Sequence, residues 1–103
     1  MAIYYRKCTN SLTEPVSPAV GDIWVKPVAG TTYQSYIRIN DNWITMIGGG
    51  AYIAETDADD HYLNVVVQED NPESFIQVGW IWIKESTGAA YLYLWKFIPI
   101  ATG

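Results

Sequence analysis

An internal duplication constrains this chain more than any other feature. Gly21-Asp22-Ile23-Trp24-Val25-Lys26 lines up residue for residue with Gly79-Trp80-Ile81-Trp82-Ile83-Lys84. The match continues through a turn at Gly30 and Gly88. It then takes in Tyr36-Ile37-Arg38-Ile39 against Tyr91-Leu92-Tyr93-Leu94, and closes on Trp43-Ile44 against Phe97-Ile98. Small changes in loop length separate these blocks. Prolines precede both copies, Pro15 and Pro18 in the first and Pro72 in the second. Agreement in order, turn and aromatic position means that one supersecondary unit occurs twice, and repeats of this size bury a core by packing on each other.

Within each copy the apolar period is two, as a half-buried strand requires. Ile23 and Val25 face one way while Asp22, Trp24 and Lys26 face the other. A strand from about Tyr33 to Ile39 follows, then turn chemistry at Asn40-Asp41-Asn42, where Asn and Asp tolerate left-handed backbone. The chain returns through Trp43-Ile44-Thr45-Met46-Ile47 and stops at Gly48-Gly49-Gly50, which reads as a connector. The second copy repeats this meander: Gly79 to Lys84, a turn around Ser86-Thr87-Gly88, Tyr91 to Trp95, and Phe97 to Ile100. Two strands are expected outside the copies, Ala2 to Lys7 at an edge and Tyr62 to Val67 between acidic loops. No apolar spacing of three and four persists for ten residues, so any helix is a short turn near Glu55 to Asp60. The expected fold is all-β, a single domain forming a small sandwich or barrel-like body. Repeat 1 covers about 15–50, a linker with the extra strand about 51–71, and repeat 2 about 72–103.

Composition agrees with strands: aromatics make up 15% of the 103 residues, nearly as much as the 17% that are charged. The aliphatic set Ile23, Val25, Ile37, Ile39, Ile81, Ile83, Leu92 and Leu94 falls on one face and is the expected core. The opposite face is mixed in the first copy and aromatic in the second, where Trp80, Trp82, Tyr91, Tyr93 and Trp95 fall. Each large aromatic covers roughly 150–250 Å² when buried. Monomers rarely expose apolar patches beyond about 300–600 Å². Something must cover this face: the first copy or the Tyr62–Val67 strand, or else another subunit or partner.

The net charge of −5 and the scatter of Arg6, Lys7, Lys26, Arg38, Lys84 and Lys96 leave no basic track for nucleic acid. A single cysteine, Cys8, allows no internal disulfide. The N-terminal residues lack the order of a signal peptide and no apolar run has the length of a membrane span. Synthesis in the cytoplasm, with no membrane partner, is the expectation. His61 is the only histidine, and Cys8 with His61 lacks the orienting group and oxyanion hole of a nucleophilic site. The stretch Glu55-Thr56-Asp57-Ala58-Asp59-Asp60-His61 is the best metal candidate, but it lacks the later Gly and Glu of the helix-loop-helix calcium pattern. It reads as a solvated loop. No catalytic residue, cofactor or metal is expected.

Pro18-Ala19-Val20-Gly21-Asp22-Ile23-Trp24-Val25, followed by a turn, Tyr36 and Trp43, resembles a short β repeat of tailed-bacteriophage virion proteins. The second copy is similar more loosely, with Trp80 at the Asp position and Phe97 at the closing Trp. This Pro…Gly-Asp-aliphatic-Trp…Trp repeat recurs in tail-fibre, head-fibre and decoration proteins. The resemblance implies a non-enzymatic virion component and leaves its location open: a capsid decoration (cement) protein on a larger protein lattice, or a tail or fibre component. Small size, the initiating Met and no long fibre region favour decoration. The implied partners are other virion proteins and further copies of the chain in a homo-oligomer. A host-glycan-binding module using the Trp/Tyr face is the alternative. The expected interface is Trp80, Trp82, Tyr91, Tyr93 and Trp95.

Overall fold

A computed structural model describes residues 2–28, 33–47 and 61–102, with His61 described in its backbone alone. Eight strands form one sheet: β1 (Ala2–Asn10), β2 (Ile23–Pro27), β3 (Tyr33–Ile39), β4 (Asn42–Thr45), β5 (His61–Gln68), β6 (Ile81–Lys84), β7 (Ala89–Tyr93) and β8 (Phe97–Thr102). Their order is β4-β3-β2-β1-β5-β6-β7-β8. The two ends of this sheet approach each other, and the Ile47 amide donates to the Ile100 carbonyl at 2.7 Å. The result is all-β and nearly closed into a barrel, without a helix among the described residues. The Glu55–Asp60 turn and the Gly48–Gly50 connector lie outside the described residues.

The duplication is larger than the two meanders. β1 runs parallel to β2 with Cys8 opposite Ile23, and β5 runs parallel to β6 with Val65 opposite Ile81. Ile23 and Ile81 are equivalent, so β1 and β5 are equivalent leading strands. Each copy is therefore a four-stranded unit. Parallel neighbours need a crossover of about a dozen residues or more, and residues 11–22 and 69–80 supply two of equal length. β1 and β5 then pair antiparallel, with Arg6 opposite its equivalent, Leu63. A pseudo-twofold axis passes between them. β1 thus lies at the centre of the sheet, not at its edge as its sequence pattern predicts, because the long-range partner β5 takes its free side.

Backbone hydrogen bonds repeat across the axis. Gly21 N–H donates to Arg38 O at 2.7 Å and Gly79 N–H to Tyr93 O at 2.8 Å. The two glycines share a left-handed backbone, φ 95° and 93°, that L-residues avoid. The Asp22 carboxylate closes its turn by accepting the Ala19 amide at 2.8 Å. Trp80 has no carboxylate, yet its amide reaches Gln77 O at 3.0 Å as that of Asp22 reaches Ala19 O at 2.9 Å. The glycine and the backbone bond keep the turn, so the side chain there was free to change.

The interior is aliphatic as the alternation predicts. Ile23, Ile37, Ile81 and Leu92 are fully enclosed, with Val25, Ile39 and Ile83 beside them and Leu94 partly buried at the margin. A bulge between Ala90 and Tyr91 shifts the β7–β8 register. It lets the consecutive residues Ile100 and Ala101 both be buried, where a regular strand would send one outward.

Candidate interaction surface

A closed barrel hides one face of every strand, so any docking chemistry sits on the outer wall, the rims or the crossovers. On the outer wall each copy builds one aromatic cluster on one plan. Trp24 stacks on Tyr36 at 5.0 Å between ring centroids and meets Trp43 edge-on at 5.7 Å. Trp82 stacks on Tyr91 at 5.0 Å and meets Phe97 edge-on at 5.2 Å. The indole N–H of Trp24 donates to Ser11 O at 2.8 Å, and that of Trp82 to Gln68 O at 2.9 Å. Both acceptors lie where the leading strand hands over to its crossover. A buried indole needs such a partner, and the duplication preserved the residue with its acceptor.

The expected interface is only partly open. Trp82 is buried, in a cluster with Val66 and with Ile76 of its own crossover. Of the covers expected for this face, the Tyr62–Val67 strand contributes through Val66, and the second copy's own crossover, which was not expected, supplies Ile76. The crossover turns inward because Pro72 is fully buried and its carbonyl accepts the Phe75 and Ile76 amides at 3.0 and 2.9 Å. Trp80, Tyr91 and Tyr93 pack against this cluster and are half-buried. Trp95 is 83% exposed. It does not continue β7 as the alternation predicts, but sits in the β7–β8 turn with φ 67°.

Three exposed residues join Trp95 that the sequence pattern did not single out. Tyr5 and Tyr62 are equivalents across the pseudo-twofold axis, and their rings stack at 5.1 Å with planes 19° apart. They are 67% and 51% exposed. Tyr5, Tyr62, Val78 and Trp95 thus form a set of exposed apolar side chains on the outer surface. Its one signal in the sequence is the match of Tyr5 with Tyr62, in strands carrying neither the Gly nor the Trp that marks the rest of the repeat.

Elsewhere an open cleft of about 330 Å³ lies between β1 and the ends of β3 and β6, lined by Tyr4, Arg6, Ile39, Val67, Ile83 and Glu85 among others. The Arg6 guanidinium lies 4.0 Å from the Tyr4 ring centroid, and its Nε–H donates to Val20 O at 2.7 Å. These contacts tie β1 to the first crossover. Cys8 is buried in the barrel core, with its backbone opposite His61. The acidic stretch before His61 lies outside the described residues. Among the described residues no three His, Cys, Asp or Glu side chains gather as a metal site would need. No helix among them is long and apolar enough to cross a membrane. Compared with protein-family models, curated proteins and solved structures, the chain has no significant match.

Proposed function

We propose that this chain is a non-enzymatic structural component of a tailed-bacteriophage virion, a decoration protein that docks on the capsid lattice. The observation that carries this reading is the exposure of the aromatic side chains Tyr5, Tyr62 and Trp95, with Val78, on the outer surface of the barrel. Support also comes from the resemblance carried by Gly21, Asp22, Ile23, Trp24, Tyr36 and Trp43. Summed and scaled by exposure, these side chains amount to roughly 400 Å² of apolar surface. Standard protein interfaces take about 800 Å² from each partner. A patch of half that size is weak for a free dimer. It suits a component held in many copies on a repeating lattice, where each added contact multiplies the effective affinity.

Co-sedimentation with capsids assembled without this chain tests the reading. Saturable binding to capsids is expected. Binding to isolated tails alone would move the assignment to a tail or fibre component, and a chain left in the supernatant by both particles would end it.

A further inference from the structure

The duplication aligns Trp95 with Asn40, in a β7–β8 turn one residue shorter than the β3–β4 turn. Both residues are left-handed, Asn40 at φ 56° and Trp95 at φ 67°. Asn tolerates this conformation through its short polar side chain, whereas a bulky residue there is an outlier. Trp95 therefore bears a backbone cost that its counterpart avoids. It also holds its indole in water, with Tyr93 the one ring near it among the described residues, 6.5 Å away. The exposed indole adds little buried area to the barrel. A residue held in an unfavourable backbone region and offering nothing to packing points to a site where something else binds.

We infer that Trp95 is the anchor of the capsid contact, inserting its indole into an apolar pocket with an acidic rim on the lattice protein. The inference rests on the decoration reading and names the residue and the partner chemistry. The turn is convex and tight, closed by the Leu94 amide donating to Lys96 O at 2.9 Å, so it presents a knob rather than a platform. The exposed Lys96 beside the indole supplies a positive edge, which an acidic rim would complement.

The test replaces Trp95 with the residue of the equivalent turn, Trp95→Asn, and compares it with wild type on capsids assembled without this chain. A buried Trp hot spot predicts at least about 30-fold weaker binding. Relief of the backbone cost predicts a thermal midpoint higher by about 4 °C or more. Wild-type binding that survives in Trp95→Asn would overturn the anchor while leaving the decoration reading in place. A lowered midpoint would make Trp95 a structural residue and overturn it too. Failure of wild type to bind any particle would take down both readings. Binding to a glycan array that is lost in Trp95→Asn would replace the protein pocket with a sugar.

Discussion

The two outer aromatic clusters share one plan and differ in how they are covered. In the second copy the crossover folds onto the rings, with Pro72 and Ile76 buried. In the first copy the crossover turns outward, leaving Leu12 and Val16 exposed, and cations flank the rings instead. Lys26 Nζ lies 5.6 Å from the Trp24 ring and the Arg38 guanidinium 5.6 Å from that of Trp43. Trp24 and Trp82 are nevertheless buried alike, at 8% and 7% exposure. A covering of long charged side chains thus shelters an indole as well as an apolar lid, because their methylene stems pack on rings while their heads stay wet. The lid has an additional fastening. Glu69, at the place of the exposed Leu12, accepts the Ser86 amide and hydroxyl, both at 2.8 Å, and pins the crossover to the β6–β7 turn.

The largest effect should come from the indoles themselves. Trp82→Ala and Trp24→Ala should each cost about 3–5 kcal/mol in urea denaturation, the range for truncating a buried aromatic. If Trp82→Ala cost under about 1 kcal/mol while Trp24→Ala unfolded the chain, the two coverings would not be equivalent.

Trp43→Phe installs the second copy's residue in the first. Among the described residues the buried Trp43 indole N–H has no hydrogen-bond partner, a cost that Phe97 does not have. The lost ring area and the gained relief oppose each other, so stability should stay within about 1 kcal/mol of wild type. A loss as large as that of Trp24→Ala would mean that Trp43 packs in a way Phe97 does not.

The smallest effect concerns the fastening. The hydroxyl and amide of Ser86 hold the Glu69 carboxyl below its ordinary value of 4.5, with Lys84 adding a little against slight desolvation. A lowered folded pKa contributes stability above the ordinary value and loses it as pH falls through the folded one. Glu69→Gln should therefore lower the thermal midpoint slightly at neutral pH, with the gap to wild type closing well below pH 4.5. A gap that widened in acid would reverse the sign and remove the clamp from the account.

Much of the fold was legible along the chain. β3 spans Tyr33–Ile39 as the alternation predicts, and the inward aliphatic set is the barrel core. Legibility ended where partners are distant. The edge expected at Ala2–Lys7 is the sheet centre, because pairing between β1 and β5 leaves no local mark. Of the expected interface, Trp82 is buried beneath a loop whose only advance signal was Pro72. Trp95 is exposed for a reason the alternation could not supply, since period two describes strands and Trp95 sits in a turn.

By itself the sequence determined that one strand unit occurs twice, which side chains point inward, and where the glycine turns lie. Those follow from backbone geometry that repeats every two residues and from conformations open mainly to glycine. Only the tertiary structure decided how the copies join, that the sheet nearly closes, and which rings remain in contact with water. Such outcomes depend on contacts between residues far apart in the chain, and on crossovers of equal length that one copy folds inward and the other does not.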